Sequence, residues 1–197
     1  MNDTILIKMP ESLKQIESQS KNLDFGMASD PRTGAFLAAL AASKPGGRFL
    51  ELGTGTGIAT AWLLSGMDAA STLISIDVQP EFQAVARAVL GHDPRLTLVL
   101  EDGVQFLIKQ PPQTFDFIFA DAMPGKYESL EDALALVKPG GFYVVDDMLP
   151  QPNWPEGHDA RAAALMQRLS RETEFKVAPI SWSSGIILLV RRPQAHA

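Results

Sequence analysis

The chain has 197 residues, 46% of them hydrophobic and 20% charged, which is typical of a globular protein rather than a disordered one. Its net charge of −6 argues against nucleic acid as the main partner, because phosphate binding needs a basic face. The absence of cysteine excludes a thiolate nucleophile, a zinc–thiolate site and a disulfide framework. With no apolar leader and no stretch of membrane-spanning length, we expect a cytoplasmic protein.

The predicted elements alternate between strands and helices along most of the chain. An amphipathic helix is predicted near 10–23, and a second helix begins at Ser29-Asp30-Pro31, where a capping residue precedes proline. Short continuous apolar runs predict strands covered on both faces by helices. The predicted strands lie near 48–53, 72–77, 96–101, 115–121 and 142–147, and the predicted helices near 57–66, 80–90, 103–109, 128–137 and 158–171.

The last part of the chain has a different pattern. Runs at 175–180 and 186–190 are separated by Ser183-Ser184-Gly185, which predicts an antiparallel hairpin. Five βα units closed by this hairpin predict an α/β fold with a doubly wound, mostly parallel seven-stranded sheet. We expect a single domain over 1–197, with an N-terminal segment at 1–34, a core at 35–192 and a frayed tail at 193–197.

The turn Gly53-Thr54-Gly55-Thr56-Gly57 is the most informative motif. It joins a predicted strand to a predicted helix, and Asp77 ends the next strand twenty residues after the last glycine. Glycines let a ligand approach the backbone closely, and an acid at the second strand tip can accept both ribose hydroxyls. The pattern therefore predicts nucleoside binding. A nicotinamide dehydrogenase is a weaker alternative, because its third glycine would stand at Ile58, and a turn without a ligand is another.

Glu51 stands two residues before the first glycine, and E-x-G-x-G-x-G resembles motif I of the class I S-adenosylmethionine-dependent methyltransferases. The resemblance implies the sheet order 3-2-1-4-5-7-6 with strand 7 antiparallel. It also implies that Glu51 helps to hold the methionine end of the cofactor and Asp77 the ribose. Asp102, after the third strand, resembles the adenine-edge position of that family, although an N-cap role stays open.

Three aspartates end two neighbouring predicted strands, Asp121 after the fourth and Asp146 and Asp147 after the fifth. Crowded carboxylates repel one another unless they are protonated, paired with cations or gathered around a metal. Their hard oxygen atoms suit Mg²⁺ or Ca²⁺. The predicted metal ligands are therefore Asp121, Asp146 and Asp147, and the alternative is that they cap or hydrate the loops that follow.

The segments after these strands resemble the catechol and caffeoyl-CoA O-methyltransferases, which carry D-A-x-K-x-x-Y and then D-N. Here they read D-A-M-P-G-K-Y over 121–127 and Asp146-Asp147. The resemblance implies a phenolic or catechol-like methyl acceptor, a divalent metal and a lysine as general base. It also makes Gly26-Met27-Ala28-Ser29 similar to the segment that closes over the cofactor.

Three departures from that family matter. Pro124 stands at the lysine position, so Lys126 is the nearest lysine, and Asp147 replaces the metal-binding asparagine. Lys126 could instead be a solvated surface residue. Ile58-Ala59 replace a Tyr-Ser pair, so Thr56 or Thr60 would supply the missing hydroxyl contact to the cofactor.

The sequence thus predicts an S-adenosylmethionine-dependent O-methyltransferase for a small acceptor. The alternatives are a methyltransferase fold with another acceptor and no metal, and a non-catalytic cofactor-binding protein. A homodimer is also predicted, and His158, Tyr127, Trp154, Trp182 and Met148 are candidates for lining the acceptor pocket. The predicted catalytic residues are Asp121, Lys126 and Asp147; the predicted cofactor-binding residues are Met27, Ser29, Glu51, Gly53, Thr54, Gly55, Thr56, Gly57, Asp77, Val78, Asp102, Gly103 and Asp121.

Overall fold

A computed structural model describes residues 3–23, 25–152 and 154–193. After a short 3₁₀ turn at Asp3–Leu6, the helices are α1 (Leu13–Asn22), α2 (Pro31–Ala42), α3 (Ile58–Gly66), α4 (Pro80–Leu90), α5 (Gly103–Leu107), α6 (Leu130–Ala135) and α7 (His158–Leu169). The strands are β1 (Arg48–Leu52), β2 (Thr72–Asp77), β3 (Leu96–Leu100), β4 (Phe115–Ala120), β5 (Val137–Val145), β6 (Phe175–Ile180) and β7 (Ile186–Arg191). Residues 194–197 of the predicted tail lie outside the described residues.

The strands form one seven-stranded sheet in the order β3-β2-β1-β4-β5-β7-β6. Strands β1 to β5 pair in parallel, whereas β7 is antiparallel to both β5 and β6. The predicted sheet order and terminal hairpin are therefore confirmed. The register of the hairpin pairs Phe175 with Arg191 and Ile180 with Ile186.

Strand β5 begins earlier than its apolar run suggested. Val137 already pairs with Phe115, and the register then shifts before Phe117 pairs with Phe142. This irregularity lets the strand include Gly140 and Gly141, which carry no apolar side chain and were not predicted as strand. Helix α6 is correspondingly shorter than predicted and ends at Ala135.

Helices cover both faces of the sheet, so the core has two halves. One half packs side chains of α1 to α4 against the sheet, with Leu13, Leu37 and Trp62 almost fully buried. The other half packs side chains of α5 to α7 against the opposite face, with Leu107 and Leu169 among them. Burial on both faces explains why the central strands read as continuous apolar runs.

Helix α2 begins as its sequence predicts. Asp30 is extended at the N-cap, its Oδ1 accepts a hydrogen bond from the backbone N–H of Arg32 at 2.8 Å, and Pro31 occupies the first turn. A capped start fixes the point at which the chain enters the helix, directly after the segment 25–29. Within the described part of the chain, no helix combines the length and the apolar character that crossing a bilayer requires.

Candidate active site

A cavity of about 690 Å³ opens at the carboxyl ends of the parallel strands. The order of the sheet reverses between β1 and β4, and open α/β sheets bind ligands at such a switch point. The two strand ends are in contact here, because a Cβ on Gly53 would lie 3.0 Å from the carbonyl oxygen of Asp121. The volume is in the range of sites for small organic molecules.

Most of the predicted site residues come together around this cavity. Glu51 lies buried beneath it, and the other predicted residues that do not line it are Gly57, Val78, Asp102 and Gly103. Those that line it are Met27, Ser29, Gly53, Thr54, Gly55, Thr56, Asp77, Asp121, Lys126, Asp146 and Asp147.

The glycine turn is tied to the tip of β2. Gly55 has φ of +50°, and its backbone N–H donates to Oδ2 of Asp77 at 2.7 Å. Oδ1 of Asp77 accepts the N–H of Gln79 at 2.8 Å. A side chain on Gly55 would lie 2.7 Å from the ring of Phe25, so this position needs glycine for both its conformation and its contacts. Asp77 therefore shapes the turn as well as facing the cavity.

Phe25 and Phe82 line the cavity beside this turn and were not predicted. Their ring centroids are 4.8 Å apart in an edge-to-face arrangement, and Phe82 comes from α4. The only sequence signal for Phe25 was its place next to Gly26-Met27. Nothing in the pattern of α4 distinguished Phe82 from an ordinary helix residue.

Glu51 belongs to a buried polar network. Its Oε2 accepts hydrogen bonds from the hydroxyls of Thr60 and Ser75, whereas Oε1 is buried without a partner within the described residues. Burial, partly offset by these two bonds, raises the pKa of Glu51 to about 7. The Thr60 hydroxyl therefore donates its hydrogen bond to Glu51. Thr56, the other candidate for a hydroxyl contact with the cofactor, lines the cavity and accepts a hydrogen bond from Ser20 at 2.8 Å.

Asp102 acts as an N-cap in this structure. Its Oδ1 accepts the N–H of Gln105 at 2.9 Å at the start of α5, and its side chain is exposed outside the cavity. The alternative left open by the sequence is thus observed, and contact of Asp102 with adenine stays a prediction. Pro124 packs close to Gly103, since a Cβ added to Gly103 would lie 2.7 Å from the Cβ of Pro124.

The three strand-tip aspartates lie close together, but internal donors already occupy several of their oxygen atoms. Oδ1 of Asp146 accepts the N–H of Asp147 at 2.7 Å and the hydroxyl of Ser184. Oδ2 of Asp147 accepts the indole N–H of Trp154 at 2.8 Å. Burial, followed by the charge of Asp146, raises the pKa of Asp121 well above its usual range, and burial also raises the pKa of Asp146.

This arrangement does not fit a shared divalent ion. No group of three or more His, Cys, Asp or Glu side chains within residues 3–23, 25–152 and 154–193 is placed to hold a metal. The predicted convergence of Asp121, Asp146 and Asp147 on one ion is therefore not supported. Backbone, hydroxyl and indole donors already occupy one oxygen each of Asp146 and Asp147, which leaves fewer lone pairs for an ion.

A buried lysine lies among these acids instead. Lys126 is 4% exposed and lines the cavity, so the surface alternative for it is wrong. A tight turn carries it inward: the N–H of Tyr127 bonds to the carbonyl of Met123 at 2.9 Å, and Gly125 has φ of +78°. A side chain on Gly125 would lie 2.4 Å from Leu52, so only glycine fits there. The turn compensates for the two-residue displacement of the lysine in the sequence.

Aromatic side chains form a wall beside Lys126, which we call the aromatic wall and define as Tyr127, Trp154 and His158. Their contacts are continuous: the Tyr127 hydroxyl and His158 Nε2 are 3.1 Å apart, and the Trp154 and His158 ring centroids are 4.5 Å apart. Burial raises the pKa of Tyr127 to about 12, so the phenol keeps its proton. Burial, then the charge of Lys126, lowers the pKa of His158.

The other two candidates for the acceptor pocket lie elsewhere. Met148 is buried in the core, and Trp182 packs edge-on against Phe36 with centroids 6.4 Å apart. The hairpin contributes polar side chains in their place, because Ser183 and Ser184 line the cavity and Ser184 donates to Asp146. Packing of the antiparallel strand beside β5 brings these serines to the site, which the sequence pattern alone did not indicate.

The sheet order, the glycine turn and the strand-tip acids together define a class I methyltransferase fold. A family model described as a methyltransferase domain matches residues 50–148. A curated relative from Mycobacterium avium (strain 104), named "Putative O-methyltransferase", is 31% identical over 186 residues, which cover 88% of this chain and 83% of the relative.

Solved structures match over nearly the whole chain. Cofactor-bound Rv0187 from MTB superposes with a TM-score of 0.85 at 23% identity, covering 98% of this chain and 94% of that one. The O-methyltransferase TomG from Streptomyces achromogenes, solved with SAM, superposes with a TM-score of 0.82 at 22% identity, covering 96% and 93%. At these identities, the structural matches show the fold.

The chain belongs to this methyltransferase family and is an S-adenosylmethionine-dependent methyltransferase. Its predicted membership of the class I S-adenosylmethionine-dependent methyltransferases is confirmed. The described residues fit this cofactor. The cavity suits its size, the glycine turn leaves backbone accessible, and the orphaned Oε1 of Glu51 leaves a buried acceptor unsatisfied.

Proposed function

We propose that this enzyme transfers the methyl group of S-adenosylmethionine to an oxygen of a small phenolic or catechol-like acceptor. One observation carries the proposal: a single cavity is lined by the glycine turn and Asp77 and also by Tyr127, His158 and Lys126. The predicted nucleoside site and these aromatic side chains thus lie in one cavity, as transfer between two bound molecules requires. The name of the Mycobacterium avium relative supports oxygen as the atom that receives the methyl group.

For the cofactor, we assign Asp77 to the ribose hydroxyls and Glu51 to the methionine end. Asp77 keeps free lone pairs on both oxygens after accepting the N–H groups of Gly55 and Gln79. The bound cofactor supplies a methyl group that its positively charged sulfonium makes electrophilic. The acids around the cavity favour such a cation, because Asp121, Asp146 and Asp147 all line it.

For the methyl acceptor, we propose that the aromatic wall contacts its ring and that Asp147 takes up its proton. A planar phenol in the cavity can stack or pack edge-on against Tyr127 and His158, and Trp154 supports His158 from behind. The bound cofactor would supply the methyl group, with its sulfur keeping the electrons of the carbon–sulfur bond, so the residues of this chain have to orient the acceptor oxygen and take up its proton. The phenolic proton passes to the carboxylate of Asp147, whose Oδ2 is held by Trp154 and whose Oδ1 has no partner in the described residues.

Two further features stay predictions. A homodimer has support from the exposed apolar side chains of Ile5, Leu6 and Met9, which precede α1. A cytoplasmic location has support from the absence of cysteine, because exported proteins of this size commonly use disulfides.

Incubation with methyl-labelled cofactor and a panel of phenols, catechols, amines and carboxylic acids tests the proposed function. We expect label in the ether products of phenols or catechols, and a rate at least about 10-fold lower in an Asp121→Asn control. Label in amines alone would overturn the choice of oxygen. Binding of S-adenosylhomocysteine without transfer to any member of the panel would favour a non-catalytic cofactor-binding protein instead.

A further inference from the structure

The charged side chains that the protein buries are concentrated at the active site. Among Asp, Glu, Lys and Arg of the described residues, those that count as fully buried are Glu51, Lys126 and Asp146. Lys126 and Asp146 line the cavity, and the charge of Glu51 raises the pKa of Asp121, which also lines it. Burying an ammonium group is costly unless nearby negative charge or hydrogen bonds compensate for its lost hydration.

The ammonium group of Lys126 has nearby contacts but forms no ion pair within the described residues. Its Nζ lies 3.5 Å from the carbonyl oxygen of Asp147 and 5.2 Å from the ring centre of Tyr127. None of the ion pairs in the described part of the chain includes it. Burial raises the pKa values of Asp121 and Asp146, and the charge of Lys126 partly offsets that rise, so the ammonium lies within electrostatic reach of both carboxylates.

We infer that the ammonium of Lys126 is the resident cation of this active site and holds the methyl acceptor's oxygen where related enzymes are expected to use a divalent metal. Nζ carries three N–H donors, of which the distant Asp147 carbonyl can engage only one, so it can donate to a phenol or phenolate oxygen. A divalent ion beside the same acids would be repelled by this buried ammonium. The inference rests on the proposed function, because it assigns a role toward the acceptor oxygen of that reaction.

Two features of the chain agree with this role. The turn at 123–128, which needs glycine at 125, moves Lys126 inward although it stands five residues after Asp121 instead of three. In addition, Asp147 stands where the related enzymes carry a neutral asparagine, and an extra carboxylate is better tolerated beside a fixed ammonium. The buried ammonium therefore lies beside the same acids that the sequence predicted as metal ligands.

The test measures metal binding and activity separately. Wild-type enzyme, Lys126→Met, Lys126→Arg and the exposed control Lys109→Met are compared by thermal unfolding with EDTA, Mg²⁺ or Mn²⁺, and by methyl transfer. For the wild type and Lys109→Met, we expect the same unfolding midpoint with EDTA and with Mg²⁺, and rates that agree within 2-fold. Lys126→Met should lose about 100-fold or more in kcat, the usual effect of removing one fixed electrostatic contact, with cofactor affinity nearly unchanged.

Lys126→Met should also gain a metal response, because its acids are left without their internal cation. We expect its unfolding midpoint to rise with Mg²⁺ or Mn²⁺. The midpoint of Lys126→Arg, like that of the wild type, should not change with either ion. Saturable stabilisation of the wild type by Mg²⁺, or loss of its activity in EDTA, would overturn the inference without needing any variant to fold. If no phenol is methylated at all, the proposed function fails, yet the metal titrations still decide whether Lys126 takes the place of the ion.

Discussion

Replacing Asp77 by alanine probes the cofactor site most sharply, because this carboxylate has two functions. It is assigned to the ribose hydroxyls, and it also accepts the N–H groups of Gly55 at 2.7 Å and Gln79 at 2.8 Å. If the carboxylate only faced the cavity, its removal would leave the unfolding temperature almost unchanged. The observed bonds change that expectation, since the variant leaves two backbone donors without their partner.

The magnitudes follow from these bonds. Loss of hydrogen bonds from a charged acceptor to the ribose should weaken S-adenosylhomocysteine binding by about 1.5–3 kcal/mol, or roughly 10- to 150-fold. Loss of the two backbone bonds should lower the free energy of unfolding without ligand by about 1–3 kcal/mol, because water can replace part of each bond.

Calorimetric titration and thermal unfolding of wild type, Asp77→Ala and Asp77→Asn separate the two functions. The asparagine variant keeps one acceptor oxygen, so it should fall between the other two in both measurements. Unchanged affinity in Asp77→Ala would refute the ribose assignment. Unchanged stability would refute the claim that this side chain holds the glycine turn.

Three further predictions concern buried acids and the acceptor pocket. Because the pKa of Glu51 is raised from 4.5 to about 7 in the folded protein, its contribution to stability is fully present below about pH 4.5 and is lost as pH rises through 7. Glu51→Gln should therefore gain about 2–3 kcal/mol of unfolding free energy relative to wild type between pH 5 and pH 8, measured by denaturant titration. Asp147→Asn can still accept from Trp154 and tolerates φ of +59°, so it should fold normally yet lose about 100-fold or more in kcat, and Asp147→Ala should lose as much. Tyr127→Phe removes the contact to His158 and should raise the KM for the methyl acceptor about 2- to 10-fold in steady-state kinetics.

Each of these predictions has a contrary result. If the free energies of unfolding of wild type and Glu51→Gln change in parallel with pH, the carboxyl of Glu51 does not titrate between pH 5 and pH 8. Near-wild-type activity of Asp147→Asn together with sensitivity to EDTA would favour a metal ligand over a proton acceptor. An unchanged KM in Tyr127→Phe would place the acceptor away from the aromatic wall.

The sheet and its glycine turn could be predicted because their signals are local. Most strands contained a short, mainly apolar run, and Ser183-Ser184-Gly185 marked the hairpin that closes the sheet. The capped start of α2 at Asp30 and Pro31 was equally clear. The early start of β5 was missed, since Gly140 and Gly141 interrupt its apolar pattern.

The chemistry of the site was harder to predict because it depends on contacts between distant segments. Counting positions placed Pro124 where a lysine was expected, but only the folded turn shows that Lys126 reaches the cavity. Likewise, three acids at strand tips suggested a metal, whereas Ser184 and Trp154 donate to one oxygen each of Asp146 and Asp147 in the folded protein. Composition and spacing do not report which donors the remainder of the chain brings to a carboxylate.

Calorimetric titration of the wild-type enzyme with S-adenosylmethionine, S-adenosylhomocysteine and NAD tests the central claim most directly. The E-x-G-x-G-x-G turn and Asp77 should give saturable binding of the first two ligands at one site per chain, and no detectable binding of NAD. Tight binding of NAD with no heat from S-adenosylhomocysteine would contradict the assignment of this cavity to methyl transfer.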